Sequence, residues 1–270
     1  MSHETYTVAS HNIMHGYRLR SLLPVYTQLR VQRGLDILCL QENRLVGDTT
    51  HAQRIAHALG DYCACSAKAP GGVAIVHSRR LACVGHDAIP LPILDALKPL
   101  ERLYIKGGQV EQRYALILRL RLFGSTHPPL TVVNLHLETA GTNRHRRAQV
   151  KTVAKALTQQ NAPAHTPLVV CGDTNAFSWR PTQQAQAITT VMEPLRHLGL
   201  DVPPLGSPTH FFSRADEPML PHRLGRFLGR LGLDMPRRYD IVCTNLERVD
   251  EGQVTTPDSD HDLLWLQIRA

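Results

Sequence analysis

Three apolar runs in this chain stop abruptly at side chains able to do chemistry, and a fourth begins from such a cluster. Residues 35–40 lead into Gln41-Glu42-Asn43, residues 130–133 into Asn134-Leu135-His136-Leu137-Glu138, and residues 167–171 into Gly172-Asp173-Thr174-Asn175. In reverse order, Asp258-Ser259-Asp260-His261-Asp262 opens into Leu263-Leu264-Trp265-Leu266. Short apolar runs of this length read as buried strands. Such strands place their terminal polar groups on the rim of a sheet, where loops carry function. A chain built this way is constrained to a layered β-containing fold with four polar strand ends able to converge.

The remaining pattern supplies the other layers. Residues 6–10 alternate like a strand, and Leu19, Leu22, Leu23, Val25 and Leu29 follow at helical spacing. Further strands are expected at 72–76, 81–84, 113–122 (with clean alternation), 239–244 and 263–268. Pro128-Pro129 marks a hairpin turn. Val150, Val153, Ala154 and Leu157 define one face of a helix spanning 144–157. Many strands with few helices, mixing hairpins and crossovers, predict two packed mixed sheets with helices outside. At 270 residues, without repeats or low-complexity tracts, one domain spanning 1–270 is the expectation.

Composition narrows the classes. A hydrophobic share of 43% argues against disorder, and no run reaches transmembrane length. The first residues lack a basic start followed by an apolar core, so a cytoplasmic, monomeric protein is expected. Cys39, Cys171 and Cys243 lie inside apolar runs and read as buried free thiols, while Cys63 and Cys65 lack metal-site spacing. A formal charge of +7 favours a polyanionic partner: nucleic acid, an anionic lipid surface or a phosphorylated ligand.

Glu42 and Asp260 offer carboxylate oxygens to a hard dication such as Mg²⁺, with the Asn12 amide beside them. Taken singly, each reads better as a strand-end turn residue. His261 titrates near neutrality and suits proton transfer, with Asp240 placed to orient its far ring nitrogen. His136 interrupts an apolar strand, where its ring could meet a phosphoryl oxygen. Asp173 and Asn175, spaced by one residue, point the same way and could position a water and the phosphate.

In chain order, Ser10-His11-Asn12-Ile13, Leu40-Gln41-Glu42, Gly72-Val73-Ala74-Ile75, Asn134-Leu135-His136-Leu137, Arg146-Arg147-Ala148-Gln149, Gly172-Asp173-Thr174-Asn175, Tyr239-Asp240-Ile241-Val242 and Ser259-Asp260-His261 resemble the motifs of the endonuclease/exonuclease/phosphatase superfamily. The resemblance implies a four-layered α/β sandwich, two packed mixed β-sheets flanked by helices. It also implies Mg²⁺- or Mn²⁺-dependent cleavage of a phosphate ester by in-line attack of water. By motif, Asn12, Glu42 and Asp260 would surround the metal, and His136 would bind the phosphate. Asp173 and Asn175 would orient the nucleophile, while Asp240 and His261 would move the proton. Arg146 and Gln149 match structural positions behind the site. The first motif departs from many relatives in carrying His11 before Asn12. A tyrosine beside the phosphate has no clear equivalent; Tyr104 and Tyr114 are the candidates.

Residues 222–231 set Leu224, Phe227, Leu228 and Leu231 at helical spacing, with Arg223, Arg226 and Arg230 on other faces and Arg237 and Arg238 following. Arg226, Arg230, Arg237 and Arg238 could form a basic lip that grips substrate phosphates or an anionic membrane interface. An amphipathic surface helix with solvated arginines is the competing reading. The leading functional expectation is a nuclease acting on DNA or RNA. A lipid or small-molecule phosphoesterase of the same fold is the alternative, and a non-catalytic binding protein is the weakest reading because none of the motifs is broken.

Overall fold

A computed structural model of the chain describes residues 4–67, 72–99, 101, 110–159, 166–200, 207–211, 214, 227 and 237–269. Two sheets pack face to face. One has six strands in the order β12-β13-β1-β2-β6-β5, formed by β1 (Thr5–Asn12), β2 (Leu35–Asn43), β5 (Tyr62–Ser66), β6 (Gly72–Ser78), β12 (Glu247–Val254) and β13 (Leu263–Arg269). The other has five in the order β11-β10-β9-β8-β7, formed by β7 (Leu81–Pro90), β8 (Tyr114–Leu122), β9 (Leu130–His136), β10 (Leu168–Asp173) and β11 (Asp240–Thr244). A small ribbon, β3 (Leu45–Val46) with β4 (Thr49–Thr50), stands apart.

Helices cover both outer faces. Helix α1 (Leu19–Arg33) and α2 (His51–Leu59) lie on the first sheet, burying Leu22, Tyr26, Leu29, Ile55 and Leu59 against Leu38, Leu40, Ala74 and Val76. On the second, α3 (Asn143–Gln159) and α4 (Gln184–Met192) bury Val150, Val153, Leu157, Ile188 and Val191 against Val133, Leu135 and Val170. Between the sheets lies a third core made by Val8, Ile37, Cys39 and Ile75 from one side and Leu118, Val132, Val169 and Cys171 from the other. The result is the expected α/β sandwich. The period-2 geometry of strands explains how one run feeds two cores: Leu38 and Leu40 face the helices while Ile37 and Cys39 face the second sheet.

Several expectations need correction. The strand 113–122 was expected to alternate between buried and exposed, yet residues 115–118 are all buried. Both faces of β8 are covered, Ala115 and Ile117 toward the helices and Leu116 and Leu118 between the sheets. Strand β12 was not expected at all, because an edge strand reading Glu-Arg-Val-Asp-Glu-Gly-Gln-Val, with its first five residues exposed, lacks any apolar signature. The sequence reading names no helix at 51–59, yet α2 is a well-formed one. Thr50 and Gln53 close a capping box at its start, and Ala52, Ile55, Ala56 and Leu59 form its buried stripe. The cysteines among the described residues are free, with Cys39, Cys171 and Cys243 buried.

Topology places the functional rim. The pairs β1/β2 and β9/β10 are parallel, joined by α1 and α3 as crossovers, so both strands of each pair end on the same side. Strands β13 and β11 run antiparallel to β1 and β10, which brings their starting residues to that side. Asp173 accordingly stands opposite His136 on one flank and Asp240 on the other. Across the sandwich, Asn134 binds the sheets together: its Nδ2 donates to the carbonyls of Leu40 and Ala74, both at 2.8 Å, and its Oδ1 accepts from Gln41 Nε2 at 2.7 Å.

Candidate active site

Asn12 ends β1 and reaches across the gap between the sheets. Its Nδ2 donates to Oε1 of Glu42 at 3.1 Å and to Oδ2 of Asp173 at 3.2 Å, while its Oδ1 accepts from the Met14 amide at 3.1 Å. The amide therefore bridges two carboxylates from different sheets. Glu42 lies within a register shift of the β2/β6 pairing, between Leu40 and Asn43, and has φ of 59°, a left-handed conformation that L residues seldom adopt. That twist turns its carboxylate to the rim, where Oε2 lies 3.1 Å from His15 Nδ1.

Asp173 is the hub. Its Oδ2 lies 3.7 Å from Nε2 of His136 and 3.7 Å from Nε2 of His261, and its Oδ1 accepts the Asn175 amide at 2.9 Å. Asn175, also left-handed at φ 47°, donates from Nδ2 to the Leu137 carbonyl at 3.1 Å, which ties the β10 exit to the β9 exit. Gly172 is required just before: its φ is 138°, and a Cβ there would sit 1.8 Å from the Leu135 carbonyl oxygen.

Asp240 and His261 form a dyad. Nδ1 of His261 lies 2.7 Å from Asp240 Oδ2, and both residues are buried. The loop before β13 is anchored to β1, with Ser259 Oγ donating to the Asn12 carbonyl at 2.8 Å. His11, noted as a departure in the first motif, props this loop from behind. Its Nδ1 meets Tyr26 Oη at 2.7 Å and its Nε2 meets the His261 carbonyl at 3.2 Å. Burial lowers its pKa to about 4, so it is a neutral strut at physiological pH.

Charges in the site are sharply sorted. Burial, reinforced by the Asp240 charge and opposed by His261 and two N–H donors, raises Asp173 to about 6. Burial alone would lower His261, but the Asp240 and Asp260 charges, the hydrogen bond to Asp240 and the Asp173 charge hold its pKa well above the ordinary value. Burial, followed by the Arg113 and His261 charges, keeps His136 well below its ordinary value. Burial thus favours the neutral ring at His136, while the surrounding carboxylates favour the charged ring at His261.

Two clusters place ligand atoms within 4.8 Å of one another: Asp173, Asp240 and His261, and His210, Asp260 and His261. The donors fit a divalent cation. Asp240 Oδ1 and His136 Nδ1 are buried with no hydrogen-bond partner among the described residues, and the carboxylates of Glu42, Asp173, Asp240 and Asp260 are hard oxygen donors. Two histidines escaped the sequence reading. His15 carries no distinguishing pattern beyond following Asn12 by three residues, and His210, in Pro208-Thr209-His210-Phe211, reaches the site only through tertiary pairing with Arg237 and His261.

Of the basic segment, Arg226 and Arg230 lie outside the described residues, as does the helix expected over 222–231 apart from Phe227, which is exposed. Arg237 is buried at 6% exposure with its guanidinium 6.0 Å from the Phe177 ring centroid, and Arg238 is half-buried. Arg146 and Gln149 stand behind the site: Arg146 Nε donates to the Glu138 carbonyl at 2.8 Å, and Gln149 Oε1 accepts the Glu138 amide at 2.9 Å. Tyr114 is half-buried at the start of β8, and Tyr104 lies outside the described residues.

A helix-covered double sheet with carboxylates and imidazoles on one rim is the make-up of a metal-dependent hydrolase of phosphoric esters. The chain belongs to the Endonuclease/Exonuclease/phosphatase family, whose model matches residues 9–261. No curated protein matches the sequence. Among solved structures it resembles TDP2 of D. rerio complexed with single-strand DNA product, at 13% identity and a TM-score of 0.64 over 98% of each chain. It also resembles ANGEL2, a 2′,3′-cyclic phosphatase, at 14% identity and 0.65 over 99% of this chain and 96% of that one. The mannosyl-6-phosphatase of Bacteroides thetaiotaomicron follows at 15% identity and 0.63, over 97% of this chain and 98% of its own. At these identities the likeness is one of fold. Among the described residues no helix is long and apolar enough to cross a membrane.

Proposed function

We propose that this phosphoesterase acts on a small or terminal phosphate ester, presented end-on to a recessed site, rather than on the interior of a nucleic-acid strand. The burial of the reacting groups carries this reading: Asp173 is 1% exposed, His261 4%, His136 5% and Asp260 8%. A projecting phosphoryl group enters such a recess more readily than a continuous backbone, which must lie along a groove. Relatives of the same fold include proteins described as a mannosyl-6-phosphatase and a 2′,3′-cyclic phosphatase, which supports the reading. The nuclease reading retains the charge of +7 in its favour and the DNA-bound TDP2 as a fold relative.

Glu42 and Asp260, with Asn12 beside them, would hold Mg²⁺ or Mn²⁺, which when bound supplies electrostatic stabilisation to the phosphoryl oxygens. Asp173 and Asn175 would align the attacking water. With its pKa raised toward neutrality, Asp173 is suited to accept that water's proton. His136, neutral and buried, would donate a hydrogen bond to a phosphoryl oxygen. His261, protonated and held by Asp240, would deliver a proton to the leaving oxygen. Environments that push two titrating groups apart in this way divide acid from base.

One metal-supplemented panel tests the assignment: sugar and inositol phosphates, a nucleoside 2′,3′-cyclic phosphate, sphingomyelin vesicles, RNA and plasmid DNA, each with and without EDTA. Turnover of the small esters, abolished by EDTA, is expected. Cleavage confined to the polymers would restore the nuclease reading, and hydrolysis of sphingomyelin alone would assign a lipid substrate.

A further inference from the structure

The two sheets are stacked strand over strand, β1 against β10, β2 against β9 and β6 against β8. The edge strand β5 of one sheet therefore stands opposite the edge strand β7 of the other, along the open side of the sandwich. Three of the six cysteines gather there, Cys63 and Cys65 on β5 and Cys83 on β7. None has a part in the phosphoesterase chemistry described above.

Strand periodicity fixes where these thiols point. Leu81 lies in the core between the sheets, and Cys83, two residues on, shares its face. Cys65 packs against that same core from β5, while Ala64 turns toward the helices. The two side chains thus approach each other from opposite sheets, and the Cys65 thiol is hydrogen-bonded to Cys83. Cys63 shares the Cys65 face and is the competing partner.

Their settings differ in a way that suits thiol–disulfide exchange. Cys83 is exposed, its thiol donating to the Gly85 carbonyl at 3.5 Å, and the β7/β8 register shifts between Cys83 and Gly85. A bulge of that kind at a sheet edge re-aims a side chain and disrupts the ladder beside it. Cys65 is half-buried, and burial followed by the neighbouring Cys83 pushes its thiol up to about 11. Its attack on Cys83 is intramolecular, so proximity offsets its small thiolate fraction. The three thiols do not make a metal site: among the described residues, the groups gathered closely enough to share one ion contain no cysteine.

We infer that Cys65 and Cys83 form a reversible oxidation site, a disulfide that staples the two sheets together at their open edge when a low-molecular-weight disulfide is supplied. Cys83, as the thiolate, attacks one sulfur of oxidised glutathione and releases a glutathione thiolate. Cys65 then gives its proton to solvent and attacks the Cys83 sulfur, which breaks the mixed disulfide and releases the second glutathione. Two protein thiols lose two electrons and two protons, and one glutathione disulfide gains them. The bridge closes the segment 65–83 and stabilises the fold by constraining the unfolded chain. No catalytic group takes part, so the inference stands apart from the catalytic reading.

The test is oxidation of the full chain with glutathione disulfide, followed by mass spectrometry of unreduced peptides and by thermal denaturation. The Cys65 and Cys83 peptides should be joined with loss of two hydrogens, and the melting temperature should rise by roughly 5–10 °C, both reversed by dithiothreitol. Cys63→Ser should retain both effects. Cys65→Ser should stop at a glutathione adduct on Cys83, without the rise, and Cys83→Ser should form no bridge between the sheets. A wild-type chain that stops at the Cys83 adduct, or a bridge that persists in Cys65→Ser, would overturn the inference. A bridge that leaves the melting temperature unchanged would do the same. Should the variants misfold, fragmentation of the bridged wild-type peptide decides: a link at Cys65 supports the assignment and a link at Cys63 refutes it.

Discussion

Nδ1 of His261 lies 2.7 Å from Oδ2 of Asp240, although the two residues are brought in by different sheets. Asp240 opens β11 and His261 sits just ahead of β13, so the dyad exists only when the sandwich is closed. Asp240→Asn should lower the His261 pKa, followed by histidine NMR in metal-free protein, because the Asp240 charge and hydrogen bond are what offset burial. Turnover at pH 7 should fall by roughly 10²–10³, the usual share of a positioned proton-transfer group. An unchanged titration would show that the carboxylate does not hold the imidazolium.

Asp173 makes an opposite prediction for stability. Its folded pKa is raised to about 6, so it supports the metal-free fold below the unfolded carboxylate range, and that contribution is lost as pH rises through about 6. Metal-free Asp173→Asn should therefore be more stable than wild type at pH 8, by roughly 1–3 kcal/mol, and should converge with it near pH 4. Urea denaturation at both pH values measures this. A variant less stable than wild type at pH 8 would contradict the raised pKa.

Two glycine substitutions separate strain from collision. Gly172→Ala puts a methyl 1.8 Å from the Leu135 carbonyl oxygen at φ 138°, and it should cost more than roughly 4 kcal/mol or prevent soluble expression. Gly34→Ala, at φ 64° in open space after α1, should cost only about 1–2 kcal/mol. Comparable losses measured by thermal denaturation would refute the packing argument.

Asn134→Leu should destabilise the fold by about 2–4 kcal/mol. It removes the donor to the buried carbonyls of Leu40 and Ala74 and the nearest acceptor of Gln41 Nε2, contacts of 2.7–2.8 Å. Since these bonds join the sheets directly under Glu42 and His136, catalytic efficiency per folded molecule should also fall. Chemical denaturation with active-site titration reads both, and a neutral substitution would show that the sheets are held by apolar packing alone.

Much of this was legible in the sequence because strand periodicity and strand-end chemistry are local. The runs at 35–40, 130–133 and 167–171 mark central strands, whose ends name Glu42, His136 and Asp173, while Asn12 closes the first strand and Asp240, Asp260 and His261 stand at the starts of the last ones. The edge strand β12 stayed hidden because it buries too little apolar surface to show a period, and burial of residues 115–118 of β8 on both faces replaced the expected alternation there because a second sheet covers the other face. His15 and His210 stayed hidden because a histidine in a loop has no periodicity to betray its neighbours.

The sequence by itself determined which segments become strands and which polar groups sit at their ends, since both follow from side-chain type and spacing along the chain. Tertiary structure alone decided that Asn12 bridges Glu42 and Asp173, that Asp240 meets His261, and that His210 stands 3.6 Å from Asp260. These contacts join residues up to 161 positions apart in the chain. Their geometry depends on parallel crossovers and sheet packing, which bring one rim together in space and leave no local trace in the order of residues.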